Sequence, residues 1–209
     1  MPYPLSPEAR ALQAAVRKYV DEELIPWEVH AEMNHGEVPA DVLQRQKDAA
    51  RKIGLASMDA PKELGGGGAS MLLQAVAQEQ TGRVTNALGW RFSNVQKWMV
   101  KACSPYQIET WVKPLIADTR HECYAITEAE AGSDVDAIQA TARRDGGQYV
   151  LNGEKWHVTS GNLADVIIFQ AKLADGANKG AHCLFFVDSN TPGIEMVRSP
   201  AYSHTFAAH

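Results

Sequence analysis

Cysteine is scarce in this chain: Cys103, Cys123 and Cys183 are the three present in 209 residues. An odd, widely spaced set supports neither a disulfide framework nor a zinc site, and it fits a reducing cytoplasm. Long apolar runs are also missing, so no membrane span is expected. The opening residues, Met1 to Pro7, have neither a signal peptide's apolar core nor the arginine-rich character of a transit peptide. Positive charge is in deficit, with 20 Lys and Arg against 25 Asp and Glu and a net charge of −5. With a pI near 5.8 this argues against nucleic acid or an acidic membrane surface as a general partner. No Gly-x-Ser-x-Gly and no His-Glu-x-x-His occurs, which leaves serine hydrolase and zincin chemistry without support. Gly65 to Gly68 is followed by no Gly-Lys-Ser/Thr, so it reads as a flexible connection rather than a phosphate loop. His204 and His209 are not spaced like metal ligands on a helix. What is present is ordinary for a globular protein: 45% hydrophobic and 22% charged residues, enough to bury a sizeable core.

The first half has helical periodicity. Ser6 before Pro7 and Glu8 is a helix start, and Leu12, Ala15, Val16, Tyr19, Val20 and Leu24 recur at helical spacing until Pro26 ends or bends the run. A second helix opens at Pro39, with Val42, Leu43, Gln46, Ala50 and Ile53 inward and Gly54 at a left-handed C-terminal position. Ser70 caps an apolar helix through Met71, Leu72, Ala75, Val76 and Glu79, and a further helix is expected across Asn86 to Lys101. Ser104-Pro105-Tyr106-Gln107 has capping-box spacing, and Pro114 breaks or kinks the helix that follows. Trp90, Trp98 and Trp111 read as core.

Near Arg120 the period changes. Asp145-Gly146-Gly147 between Val135 to Arg144 and Gln148 to Leu151 is a hairpin signal, and Asn152-Gly153 is a tight turn before a strand over Glu154 to Thr159. Asp165 to Lys172, His182 to Asp188 and Ile194 to Arg198 are further strand candidates. Short strands joined by turns argue for an antiparallel β-barrel or sandwich. The expected architecture is therefore α+β and multidomain: an all-α helical domain over 1–120, then a small antiparallel β-barrel domain over 121–209 that is incomplete.

Two segments stand out. Tyr124-Ala-Ile-Thr-Glu-Ala-Glu-Ala-Gly-Ser-Asp134 starts as a strand and collapses into small and acidic residues, leaving backbone N–H groups and hydroxyls where a planar ring or phosphate could dock. About twenty residues on, Asn152-Gly-Glu-Lys-Trp-His-Val-Thr-Ser-Gly161 sets aromatic rings beside hydroxyls. Together they resemble the paired flavin-contacting segments of the acyl-CoA dehydrogenase family, Tyr-x-x-Thr-Glu-x-x-x-Gly-Ser-Asp and Asn-Gly-x-Lys-x-x-(Ile/Val)-Thr-(Asn/Ser)-Gly. Taken singly, Thr127, Thr159, Tyr124 and His157 also suit ordinary strand and core roles; their joint order carries the resemblance.

The resemblance implies FAD as cofactor and α,β-desaturation of an acyl-CoA thioester. In such a reaction a carboxylate takes the α proton while the flavin accepts a hydride from the β carbon. Tyr124, Ile126, Thr127, Gly132, Ser133, His157, Val158 and Thr159 would then be the cofactor contacts. Gly132 would let the chain pass closely, and Ser133 would also touch the acyl-CoA. The family's aromatic position, commonly Trp, is His157 here with Trp156 before it, and His157 is the expected partner of the ring. Asp134 fits a turn cap, and Glu128 fits supporting hydrogen bonds rather than the base. In the family the base comes from a later helical domain beyond this sequence, so no catalytic residue is assigned and the chain alone is expected to be inactive, with weak or absent FAD binding. Electron-transferring flavoprotein is the implied partner, and homodimer or homotetramer the implied assembly. Flavin oxidases and monooxygenases share the architecture, and a non-catalytic module binding CoA or a partner is the alternative from another class.

Overall fold

The computed structural model describes residues 4–85, 88, 89, 95 and 97–200. The chain divides into two compact units, Met1–Arg120 and His121–Pro200.

Helix α1 spans Pro7–Tyr19, where the Ser6 side chain accepts from the Ala9 backbone N–H and Pro7 occupies the first turn. Pro26 bends this run instead of ending it. The chain loosens into a π turn over Val20–Leu24, tightens into a 3-10 turn over Ile25–Trp27, and resumes as α2 over Glu28–Met33. α3 covers Ala40–Lys52, buries Val42, Gln46 and Ala50, and is followed by Gly54 at φ +71°. Leu43 and Ile53 are only half-buried. α4, Met71–Thr81, is capped by Ser70 but turns Val76, Ala77 and Gln80 inward, leaving Met71 and Leu72 exposed. Val16, Tyr19, Val20, Leu24, Ala50 and Ala77 form the buried cluster that joins these helices.

The glycine run is a packed turn, not a flexible connection. Gly67 and Ala69 donate to the Ser57 and Met58 carbonyls, and a Cβ on Gly66 would lie 2.3 Å from the Ala60 carbonyl oxygen. α5 covers Lys97–Ala102; of the helix expected from Asn86 up to it, Leu88 and Gly89 form a turn and Val95 is not helical, while the rest, with Trp90, lies outside the described residues. Ser104 and Gln107 form the capping box in both directions at the start of α6, Pro105–Gln107. A π turn over Ile108–Val112 then leads into α7, Lys113–Ile116, so the helical path accommodates Pro114 by widening before it. Trp98 and Trp111 are half-buried. The unit's last turn is held by Asp118, whose carboxylate meets Lys47 Nζ and Arg51 Nη2 at 2.9 Å each.

The second unit is a five-stranded mixed sheet, not an antiparallel barrel. β4, Val166–Leu173, is its centre. On one side β5, His182–Asp188, runs antiparallel to it. On the other, β1, Glu122–Ala125, runs parallel to its first half, and β2, Thr141–Asp145, runs parallel to its end. β3, Gln148–Asn152, pairs antiparallel with β2 through the Gly146-Gly147 turn. Among the described residues β3 and β5 each have one strand neighbour, so the sheet stays open. Turn signals in the sequence announce hairpins, whereas the parallel β1–β4 and β2–β4 pairings join distant segments and leave no local mark. Three strand expectations change. Val135–Ala137 is a 3-10 turn, while Glu154 to Thr159 and Ile194 to Arg198 are not strands.

Candidate functional site

The two motif segments lie against each other. Two residues after β1 comes Thr127, whose carbonyl accepts from the Trp156 backbone N–H at 2.8 Å. Lys155 crosses the same seam: its Nζ donates to the Ile126 carbonyl at 2.9 Å and to Glu128 Oε1 at 2.7 Å. It also sits 5.2 Å from the centre of the Phe169 ring.

Glu128 ties the first segment into a loop. Its backbone exchanges hydrogen bonds with Ala131, its Oε1 accepts from the Ala140 N–H at 2.9 Å, and its Oε2 accepts from the Gln139 N–H at 2.5 Å. Burial works to raise the pKa of this carboxyl, but the Lys155 ammonium and the two backbone donors outweigh it, and the net shift is downward. Glu128 is thus held as a carboxylate with its lone pairs engaged, a poor arrangement for a base. Asp134 accepts from the Asp136 N–H and caps the 3-10 turn. Gly153 closes the other end of the seam: its φ is +153°, and a Cβ there would come within 2.6 Å of the Ala140 Cβ.

Of the residues the sequence singles out, Tyr124, Gly132, Ser133, His157 and Thr159 are exposed, while Ile126, Thr127 and Val158 are half-buried. The seam gathers the two segments that contain them. At Gly132 the steric expectation fails as stated, because a Cβ would meet nothing of this chain within 4 Å. His157 does not sit in a strand, so the opposite facing that a strand would impose on it and Trp156 does not apply. His157 is left-handed at φ +50°, and the two rings meet edge to face with centres 6.1 Å apart. Both side chains are exposed.

A cavity of about 580 Å³ opens beside the seam, lined by Glu128, Glu130, Gln139, Asn152, Gly153 and Trp156 among others. None of the eight expected cofactor contacts lines it. Sequence reasoning gave Lys155 no role, although it stands at the motif's Lys position. It also passed over Gln170, whose only signal is an amide in the otherwise apolar run Val166-Ile-Ile-Phe-Gln170. Among the described residues no cluster of three or more His, Cys, Asp or Glu could hold a metal ion, and no helix is long and apolar enough to cross a membrane.

A helical unit followed by a β unit whose two motif segments are laced together defines a family as well as a fold. Residues 6–119 match the family model described as acyl-CoA dehydrogenase, N-terminal domain, and residues 123–207 match acyl-CoA dehydrogenase, middle domain. The chain belongs to the acyl-CoA dehydrogenase family. It is 30% identical over 190 residues to the mitochondrial short-chain specific acyl-CoA dehydrogenase of Mus musculus, covering 88% of this chain and 45% of that protein. It is 27% identical over 195 residues to the caffeyl-CoA reductase-Etf complex subunit CarC of Acetobacterium woodii, covering 91% of this chain and 50% of that one. The structure of a glutaryl-CoA dehydrogenase from Mycobacterium smegmatis in complex with FADH2 superposes with a TM-score of 0.78 at 25% identity, covering 98% of this chain and 52% of that one. The chain therefore spans about half the length of the relatives it matches.

Proposed function

We propose that this chain forms the helical and flavin-facing portion of an FAD-dependent acyl-CoA dehydrogenase. The observation that carries the reading is the seam, in which Trp156 N–H to Thr127 carbonyl and the Lys155 bridge bring the two motif segments side by side. The residues suit a planar, hydrogen-bonding ring: exposed hydroxyls on Ser133 and Thr159, the half-buried Thr127, and open space over Gly132. When bound, FAD would supply the acceptor for a hydride from the β carbon of the thioester.

The chain's own residues would bind and orient. Thr127, Thr159 and nearby backbone N–H groups would donate to the ring's polar edge, where negative charge builds up. Ile126 and Val158 would pack on its apolar part, with Tyr124 and His157 at its margins, and Ser133 would meet both ring and acyl-CoA. The Lys155–Glu128 bridge would keep these groups fixed as reactants arrive. Glu128 is fully engaged, so we assign it no part in taking the α proton. We propose an acyl-CoA substrate, electron transfer to an electron-transferring flavoprotein, and a homodimer or homotetramer; the family and the Etf-complex relative support the partner.

The test is the visible spectrum of the purified chain with FAD, then with a panel of acyl-CoAs in the absence of oxygen. The proposal expects weak FAD binding that perturbs the flavin band at high concentration, and no bleaching by acyl-CoA. A spectrum superposable on free FAD throughout the titration would overturn it. Bleaching by acyl-CoA would instead place a base within these 209 residues.

A further inference from the structure

On one face of the sheet a line of polar side chains crosses three strands. The register puts Tyr124 of β1 beside Ile168 of β4, and His182 of β5 beside Lys172 of β4, so Gln170 lies diagonally between Tyr124 and His182. The Tyr124 hydroxyl donates to Gln170 Oε1 at 2.5 Å, and Gln170 Nε2 lies 2.9 Å from His182 Nδ1. His182 Nε2 in turn lies 3.3 Å from Asp136 Oδ1. Gln170 is 7% exposed in the middle of the sheet, so its amide is committed to these partners.

The chain of bonds has a direction. With the Gln170 amide nitrogen facing it, Nδ1 of the neutral imidazole accepts, and the ring hydrogen sits on Nε2, toward the exposed Asp136 carboxylate. The amide oxygen is then turned toward Tyr124, whose hydroxyl must donate inward. Adding one proton from water at Nδ1 sets two donors against each other. The amide then turns over: Oε1 accepts from Nδ1–H, and Nε2 donates to the Tyr124 oxygen. Two hydrogen bonds break and two form, the imidazole gains the single charge, and the Tyr124 hydrogen is freed to donate outward on a side chain that is 47% exposed. Charged groups beside the imidazole include Asp136 on the 3-10 turn and Lys172 on β4, whose Nζ donates to the Asp136 carbonyl.

We propose that His182 and Gln170 are positioning residues that couple a protonation event on β5 to the donor direction of the Tyr124 hydroxyl on β1. That the freed hydroxyl faces a flavin rests on the function proposed above; the relay itself does not.

The test uses the full chain without flavin, carrying ring-labelled histidine and Cζ-labelled tyrosine, followed by NMR from about pH 5 to 8, the range of ordinary histidine titration. Tyr124→Phe assigns the tyrosine signal. In the unaltered chain the Tyr124 Cζ signal is expected to move with the same midpoint as the His182 ring nitrogens. In Gln170→Leu, His182 should still titrate while the Tyr124 signal stays flat. If Gln170→Leu does not fold, His182→Phe serves, with the same flat Tyr124 signal expected. A Tyr124 signal that ignores the His182 transition, or that keeps its movement in either variant, overturns the proposal. Because no flavin is present, either result leaves the flavoenzyme reading to its own test.

Discussion

Glu128 and Lys155 show how a single pair of residues can define a site without performing chemistry. Both are nearly buried, and together they bind the backbone of two separate stretches, Ile126 and Gln139-Ala140. Removing one member of a buried pair leaves the other charge uncompensated, so Glu128→Gln is expected to cost about 3–5 kcal/mol in urea unfolding. A double-mutant cycle with Lys155→Met should recover part of that loss; additive effects would contradict the coupling. The lowered folded-state pKa of Glu128 also sets a sign for pH. Its contribution is complete above the ordinary glutamate range and is lost as pH falls through the lower folded value. Wild-type stability should therefore drop on acidification more steeply than that of Glu128→Gln, measured as unfolding midpoints against pH. Cys123 is a simpler case. Burial, with the Glu122 charge adding to it, pushes its thiol up to about 12. It should resist alkylation by a thiol reagent in the native state and react on unfolding. The motif glutamate was legible in sequence as a supporting residue, but its lysine partner was not, because the bond joins segments 27 positions apart.

Among elements, those fixed by neighbours in sequence were the legible ones. Ser6, Ser70 and Ser104 each cap the helix that follows, and Asp145-Gly146-Gly147 makes the hairpin. Replacing Ser104 with Ala removes the shared cap and is expected to cost about 0.5–2 kcal/mol in denaturant unfolding. Elements fixed by distant partners were misread. Glu154 to Thr159 has a strand's composition, but its observed tie to the first segment is one backbone bond to Thr127 and the Lys155 clamp, and His157 turns left-handed. At Gly153 the turn chemistry was visible, while the close approach to Ala140 was not. Gly153→Ala should be destabilised by about 1–3 kcal/mol through crowding added to the strain of its positive φ, and by more than Gly146→Ala, which carries strain at φ +59° but whose Cβ meets nothing within 4 Å. Equal losses at the two positions would locate the effect in backbone conformation rather than in contact.

At the scale of the molecule, the change of periodicity near Arg120 anticipates the division into a helical and a β unit. The open, mixed sheet was hidden because no local pattern distinguishes β4 as the strand that gathers β1, β2 and β5. The account's central claim is that the laced segments present one flavin-binding surface. It is tested most directly by amide NMR of the chain titrated with FAD. Shifts should cluster at Thr127, Gly132, Ser133, Val158 and Thr159 and vanish together when the seam is broken in Lys155→Met. Shifts scattered over the helical unit, or none at millimolar FAD, would contradict it.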